Sequence, residues 1–253
     1  MISKNKIKYI RSLELKKIRN KEGKFVAEGH KVVDDLLALQ PAELIVATNQ
    51  WLKNKHLAPS TEVIEVTEEE LRKVSFLQHP QQVLGVFMQI ATKDFSISHI
   101  DTQKLNLVLD GVQDPGNLGT IIRIADWFGI EHIYCSLDTA DVYNPKVVQA
   151  TMGSIARVKV EYGDLNLLMD ALPNDVPIYG TLLDGENIYQ KSLENRGFII
   201  MGNEGKGISP ILQSKITHKL LIPNFPIGRP TADSLNVAIA TAITCSEFRR
   251  QWK

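Results

Sequence analysis

Polar residues whose types and spacing could do chemistry together lie in three glycine-rich turns: LVLDGVQDPGNLGTIIR (107–123), FIIMGNEGKGIS (198–209) and LLIPNFPIGRPTADSLNVAIATA (220–242). In the first, Pro115 and Gly116 force a sharp bend and Asn117 is placed to cap the helix that follows. Arg123 interrupts that helix's apolar stripe of Leu118, Ile121, Ile122, Ala125 and Phe128. A guanidinium among apolar neighbours needs a carboxylate or a phosphate, a structural ion pair being the plainer outcome. In the second turn Gly202, Gly205 and Gly207 let backbone approach a ligand closely, with Asn203 and Glu204 between them; the plainer reading is a loop with a charged tip. In the third, Ser234 and Asn236 open a helix rich in small residues, Ala238, Ala240 and Ala242, and capping alone would account for them. Gly111, Gly116 and Gly119 do not space as G-x-G-x-x-G, and no G-x-x-x-x-G-K-[ST] loop is present. NAD and nucleoside triphosphates lose support as ligands. The six histidines lie far apart and Cys135 and Cys245 are the only cysteines, so no metal site is expected.

The turns need strands to position them. From residue 105 the pattern alternates strand (105–110, 131–136, 156–162, 177–183, 197–202, 218–223) with helix (about 117–128, 144–153, 164–171, 208–214, 234–250). Several of these strands are apolar on both faces, as a covered parallel sheet requires, and the alternation predicts a doubly wound α/β domain. Ligands of such sheets sit outside the carboxyl ends of the strands, where all three turns fall. Residues 1–90 read as a smaller α/β unit. It has a basic helix over 4–19, a helix through Val32, Val33, Leu36, Leu37 and Leu39 up to Pro41, strands at 43–48, 62–66 and 83–90, and a helix at 68–76. The polar, aperiodic stretch 91–104 reads as the linker. Domains are therefore expected at 1–95 and 105–253, in keeping with 253 residues at about 150 per domain.

The composition, 43% hydrophobic and 23% charged, is that of a globular protein. The balance of 29 basic and 29 acidic residues hides an asymmetry: residues 1–25 hold nine Lys/Arg against Glu14 and Glu22. The first 25 residues thus carry +7 and the rest −7. A basic arm on an acidic body suits nucleic-acid contact; equally, Ile7, Ile10 and Ile18 would let it pack as a solvated amphipathic helix. The N-terminus lacks a signal-peptide core and no apolar run reaches roughly 18 residues, so neither export nor a membrane partner is expected and the cytoplasm is.

Taken in order, the three turns resemble the motifs of the SpoU (TrmH-type) family of RNA ribose 2′-O-methyltransferases in the SPOUT superfamily. They are a Gly-Asn-x-Gly turn with arginine six residues after the asparagine, a G-x-E-G-x-G turn, and an Ile-Pro…Ser-Leu-Asn-Val turn. KFVAEGHKVVDDLL looks like the opening of that family's ribosomal-protein-like substrate-binding domain, and NPKVVQATMGSIARV (144–158) resembles a further family segment. The resemblance implies an α/β fold whose parallel C-terminal sheet carries a deep trefoil knot, a homodimer with active sites built across its interface, and S-adenosyl-L-methionine as cofactor. It implies methylation of a ribose 2′-hydroxyl in ribosomal or transfer RNA, and DNA is excluded as acceptor because it lacks that hydroxyl.

By the same resemblance Arg123 assists removal of the 2′-hydroxyl proton, Asn117 supports it, Glu204 is the motif-two glutamate, and Ser234 and Asn236 stand near the reacting groups. Gly202, Ile222 and Leu235, with Thr181, would line the cofactor pocket. Gln149 stands where many members have arginine, and NFPIGRPTAD lengthens turn three, with Arg229 available to restore the charge. A non-catalytic RNA-binding protein that retains the fold is the alternative; it would be expected to have lost Arg123, Asn117 or Glu204, and all three are present.

Overall fold

The computed structural model describes residues 2–53, 55–90, 100–226, 232 and 234–252. These form two compact units: the residues up to Ile90 together with Asp141–Arg157, and the remainder.

In the first unit the basic stretch makes two helices, α1 (Lys4–Ser12) and α2 (Lys16–Glu22), where one was expected. The break comes where Ile10 and Leu13 sink fully into the core. It is held by Arg19, only 1% exposed, which donates to the carbonyls of Leu13 (2.9 Å) and Glu14 (2.6 Å) and pairs with Asp141 at 2.5 Å. Burying a guanidinium costs several kcal/mol of lost hydration, which such partners must offset. Ile7 and Ile18 pack against the same core. Lys6 and Lys24 pair with Glu62 and Glu43, whereas Lys4, Lys8, Lys16, Lys17 and Lys21 are exposed without ion-pair partners among the described residues. Both readings of the arm thus have a physical basis, on opposite faces.

There follow β1 (Lys24–Glu28), α3 (His30–Leu39), β2 (Leu44–Ala47), α4 (Asn49–Leu52), β3 (Glu62–Glu65), α5 (Glu68–Val74) and β4 (Val83–Met88). The sheet order is β1-β4-β2-β3. β1, unanticipated in the sequence, exists through antiparallel pairing with β4, Phe25 opposite Phe87 and Ala27 opposite Gly85. α5 begins at Glu68, where a helix was expected, on a capping box in which Thr67 and Glu70 satisfy each other's backbone N–H.

The chain continues through β5 (Leu105–Leu109), α6 (Pro115–Trp127), β6 (His132–Cys135), α7 (Pro145–Ala150), β7 (Lys159–Tyr162), α8 (Leu165–Asp170), β8 (Ile178–Asn187), β9 (Gly197–Met201), α9 (Pro210–Gln213), β10 (His218–Leu221) and α10 (Val237–Gln251). α7 and the 3-10 turn at Ser154–Ala156 pack with the first unit, so the two units differ from a single cut in the sequence. Asp141 holds Arg19, Tyr143 lies on Phe25 with ring centroids 4.5 Å apart, and Arg157 pairs with Asp35 at 3.0 Å. Arg157 is thereby engaged within the first unit. β7 accordingly starts at Lys159, three residues later than expected.

The second unit's sheet is fully parallel in the order β10-β8-β9-β5-β6-β7. Every residue of β5 and β9 is buried, which fits strands covered on both faces. Val108 and Ile200 lie opposite each other at the centre of a core with Tyr134, Leu168, Phe198 and Leu212. From β5 the chain runs outward one way to β6 and β7, while β8, β9 and β10 lie on the other side. The order therefore reverses between β5 and β9, and the crevice at their carboxyl ends is the place for a ligand in such sheets. Among the described residues no helix is long and apolar enough to cross a membrane.

Candidate active site

Turn one leaves β5 through Asp110 and Gly111. Gly111 has φ +69°, a conformation costly for any other residue, and its N–H donates to Ser136 Oγ at 2.9 Å. The cap of α6 is Asp114, not Asn117 as the sequence suggested. Asp114 Oδ1 accepts from the Asn117 N–H at 2.8 Å, with Pro115 at the first helical position. Because Asp114 does the capping, the Asn117 side chain is free to turn toward the second turn. Its Nδ2 donates to Glu204 Oε1 at 2.7 Å.

Turn two is pinned by Asn203, which the sequence placed in the turn without a role. Its Nδ2 donates to Gly111 O at 2.7 Å, and its Oδ1 accepts from the N–H groups of Gly205 (2.9 Å) and Lys206 (3.0 Å). The asparagine thus builds an Asx turn and ties it to turn one. Asp110 adds a second tie, Oδ2 accepting from Ser209 N–H at 2.7 Å. At Gly202 a side chain is excluded, because a Cβ there would run into the backbone of Gly207 and Ile208.

Turn three ends at Asn236, the N-cap of α10, where the sequence expected helix from Ser234. Its Oδ1 accepts from Ala238 N–H (3.0 Å) and Ile239 N–H (3.3 Å), and its Nδ2 donates to Asn117 Oδ1 at 3.0 Å. Asn236, Asn117 and Glu204 therefore form one directional chain of hydrogen bonds joining all three turns. Arg229 and most of loop 224–233 lie outside the described residues.

A cleft of about 740 Å³ opens beside this chain. Thr181, Gly202, Ile222 and Leu235, the four residues expected to hold a cofactor, all line it, and Glu204 and Ser234 stand at its wall. Thr181 Oγ1 lies 3.7 Å from Met201 Sδ. Bare backbone at Gly202 with aliphatic Ile222 and Leu235 suits a flat heterocycle with a flexible chain, and the volume is in the usual range of about 300–1,000 Å³ for small ligands.

Arg123 does not join this group. It is exposed on α6, without a hydrogen-bond or ion-pair partner among the described residues, and it does not line the cleft. The expectation of a charge embedded in an apolar stripe is corrected, since helical spacing turns residue 123 away from Ile121, Ile122 and Ala125, which are fully buried.

The model of the SpoU rRNA Methylase family matches residues 104–246, a span that takes in all three turns. The chain belongs to the SpoU rRNA methylase family. Residues 4–85 match the MRM3-like substrate binding domain. Among relatives, the 23S rRNA (guanosine(2553)-2′-O)-methyltransferase of Bacillus subtilis is 32% identical, over 96% of each chain. An AdoMet-bound rRNA methyltransferase from Sinorhizobium meliloti is similar with a TM-score of 0.87 and 31% identity, over 100% of this chain and 97% of that one. A TrmH-family protein from Porphyromonas gingivalis is 40% identical at a TM-score of 0.87, over 99% of both chains. The six-stranded parallel sheet is thus the SpoU fold, and the three turns, which follow β5, β9 and β10, lie within the matched span.

Proposed function

We propose that this SpoU-family chain is an RNA methyltransferase that uses S-adenosyl-L-methionine to methylate a ribose 2′-hydroxyl of ribosomal or transfer RNA. The observation that carries the reading is the convergence of Asn117, Glu204 and Asn236 at the edge of a cleft lined by Thr181, Gly202, Ile222 and Leu235. Its Bacillus subtilis relative is named for the same reaction class, and its Sinorhizobium meliloti neighbour holds AdoMet.

When bound, the cofactor supplies a methyl group on a sulfonium sulfur. The chain's part is to bind, orient and manage one proton. The absence of a side chain at Gly202 lets its turn close on the Gly207–Ile208 backbone, and the turn so held lines the cleft with Ile222 and Leu235, which exclude water from the ligand. Asn117 holds the Glu204 carboxylate in place, and Asn236 fixes which way the Asn117 amide faces. A guanidinium such as that of Arg123 is a poor general base alone. Together with an RNA phosphate or Glu204 it orients the 2′-hydroxyl and assists loss of its proton, and Ser234 borders the reacting groups. Positioning of this kind is worth on the order of 7 kcal/mol or more.

The active form in this proposal is a homodimer with sites completed across the interface, which gives Arg123 its place. The Trp127 indole is 85% exposed one turn along α6 from Arg123, and Ile239 on α10 is 53% exposed. A second copy would bury both. The knotted threading of the C-terminal segment and a cytoplasmic setting, in keeping with two free buried cysteines, belong to the same proposal.

The test is transfer of labelled methyl from S-adenosyl-L-methionine to ribosomal and transfer RNA, with nucleotide-resolution mapping of the product. Arg123→Ala should abolish transfer while cofactor binding persists, and Arg123→Lys should recover little, because a point charge does not reproduce the planar fork. Near-normal turnover by either variant would overturn the assignment.

A further inference from the structure

The first unit contains a second cleft, of about 300 Å³, that the reading above does not use. Phe76, Leu77 and Ala150 give it apolar walls, and Glu28, Lys146 and Gln149 give it polar ones. Glu28 ends β1 and is only 6% exposed. Its Oε1 accepts from the Phe76 N–H at 2.7 Å and its Oε2 from the Ser75 hydroxyl. Those two bonds lock the carboxylate, yet a carboxylate has about four acceptor positions, so each oxygen keeps one for a ligand. Gln149 is half-buried on α7, and Lys146 is exposed one turn before it. Neither side chain has a hydrogen-bond or ion-pair partner among the described residues. A locked pair of acceptors, a free amide and a free ammonium thus converge on a space the size of one nucleotide.

We infer that this cleft receives one unpaired guanine nucleotide of the RNA, the base read by Glu28 and Gln149 and the phosphate met by Lys146. Guanine alone among the four bases presents two adjacent N–H donors, N1–H and N2–H, which match two parallel carboxylate acceptors. The neighbouring O6 needs a donor, which the Gln149 amide supplies. Splayed-out bases read along their Watson–Crick edge are the usual means of sequence-specific RNA recognition. The cleft is too small for a duplex, and its walls are formed within one unit, by the β1 end, residues 76–77 and α7. The inference rests on the methyltransferase reading for its RNA, but its site is separate from the cofactor cleft.

The test uses the full chain with saturating S-adenosylhomocysteine and fluorescein-labelled RNA pentamers, UUGUU and UUAUU, followed by fluorescence anisotropy. UUGUU should bind about fivefold or more tighter than UUAUU. Gln149→Leu, which removes the amide, and Ala150→Trp, which fills the cleft, should each erase that preference. Lys146→Ala should weaken both pentamers equally. Equal affinities for the two pentamers in the unsubstituted chain would overturn the inference, as would a guanine preference that survives in both folded cleft variants. GMP competing as tightly as the pentamer would assign the cleft to a free nucleotide and overturn the RNA part. Cofactor affinity, measured by calorimetry on the same proteins, should be unchanged; its absence in the unsubstituted chain would count against the methyltransferase reading alone.

Discussion

Asn236 performs two tasks that one substitution cannot keep apart and two substitutions can. Its Oδ1 caps α10 through Ala238 and Ile239, and its Nδ2 orients Asn117 toward Glu204. Asn236→Ala loses both. The missing cap costs about 1 kcal/mol, which lowers the melting temperature by about 2–4 °C for a chain of this size. Asn236→Asp keeps the cap, because aspartate is as good a capping residue, but it has no donor for Asn117 Oδ1. The Asn117 amide is then free to rotate and present its oxygen to Glu204, and the carboxylate loses its anchor. With Asn236 exposed and Asn117 half-buried, the loss is about 1–2 kcal/mol, or about five- to thirtyfold in rate. Thermal unfolding read beside single-turnover methyl transfer separates the two. Asn236→Asp should melt with the unsubstituted protein yet turn over as slowly as Asn236→Ala. If Asn236→Asp turned over at full rate, the hydrogen-bond chain would be a by-product of capping and the argument for it would fail.

Three further outcomes are expected. Gly202→Ala places a Cβ against the Gly207–Ile208 backbone, so S-adenosyl-L-methionine should bind about tenfold or more weakly by calorimetry; unchanged affinity in a folded variant would move the pocket elsewhere. Replacing Lys4, Lys8, Lys16, Lys17 and Lys21 by glutamine leaves Ile10 and Leu13 in the core and should flatten the salt dependence of RNA binding by about 0.7–0.9 for each phosphate no longer neutralised. Identical salt slopes would make α1 and α2 merely solvated. Burial holds the Glu28 carboxyl above the usual carboxylate range, against the pull of Ser75 and Phe76. A carboxyl raised on folding contributes stability that is fully present below its unfolded value and lost as pH rises through the folded one. Urea denaturation should therefore find the unsubstituted chain's advantage over Glu28→Gln largest near about pH 4 and shrinking toward neutrality; an advantage that grew with pH would refute the sign.

The sequence by itself determined the elements whose signals are local. Periodicity placed α3 against Pro41, doubly apolar runs placed β5 and β9, and the spacing of Gly, Asn and Glu marked the three turns before any coordinates. It also determined the family, because motifs in order are a property of the chain. Whatever depends on contacts between distant residues needed the tertiary structure. β1 exists because Phe25 pairs with Phe87, and the basic stretch breaks because Asp141, 122 residues from Arg19, supplies the charge that lets Arg19 be buried. The Pro115–Gly116 bend alone would make Asn117 a cap, and only the fold reveals that Asp114 takes that task and releases Asn117 to Glu204, 87 residues away. Arg123 lies in a stripe when read along the chain and on the solvent side when wound at 3.6 residues per turn. Local propensity can announce that a residue is polar and at a strand end; which partner it meets is set by strand order, and strand order is fixed only when the whole sheet buries its apolar faces together.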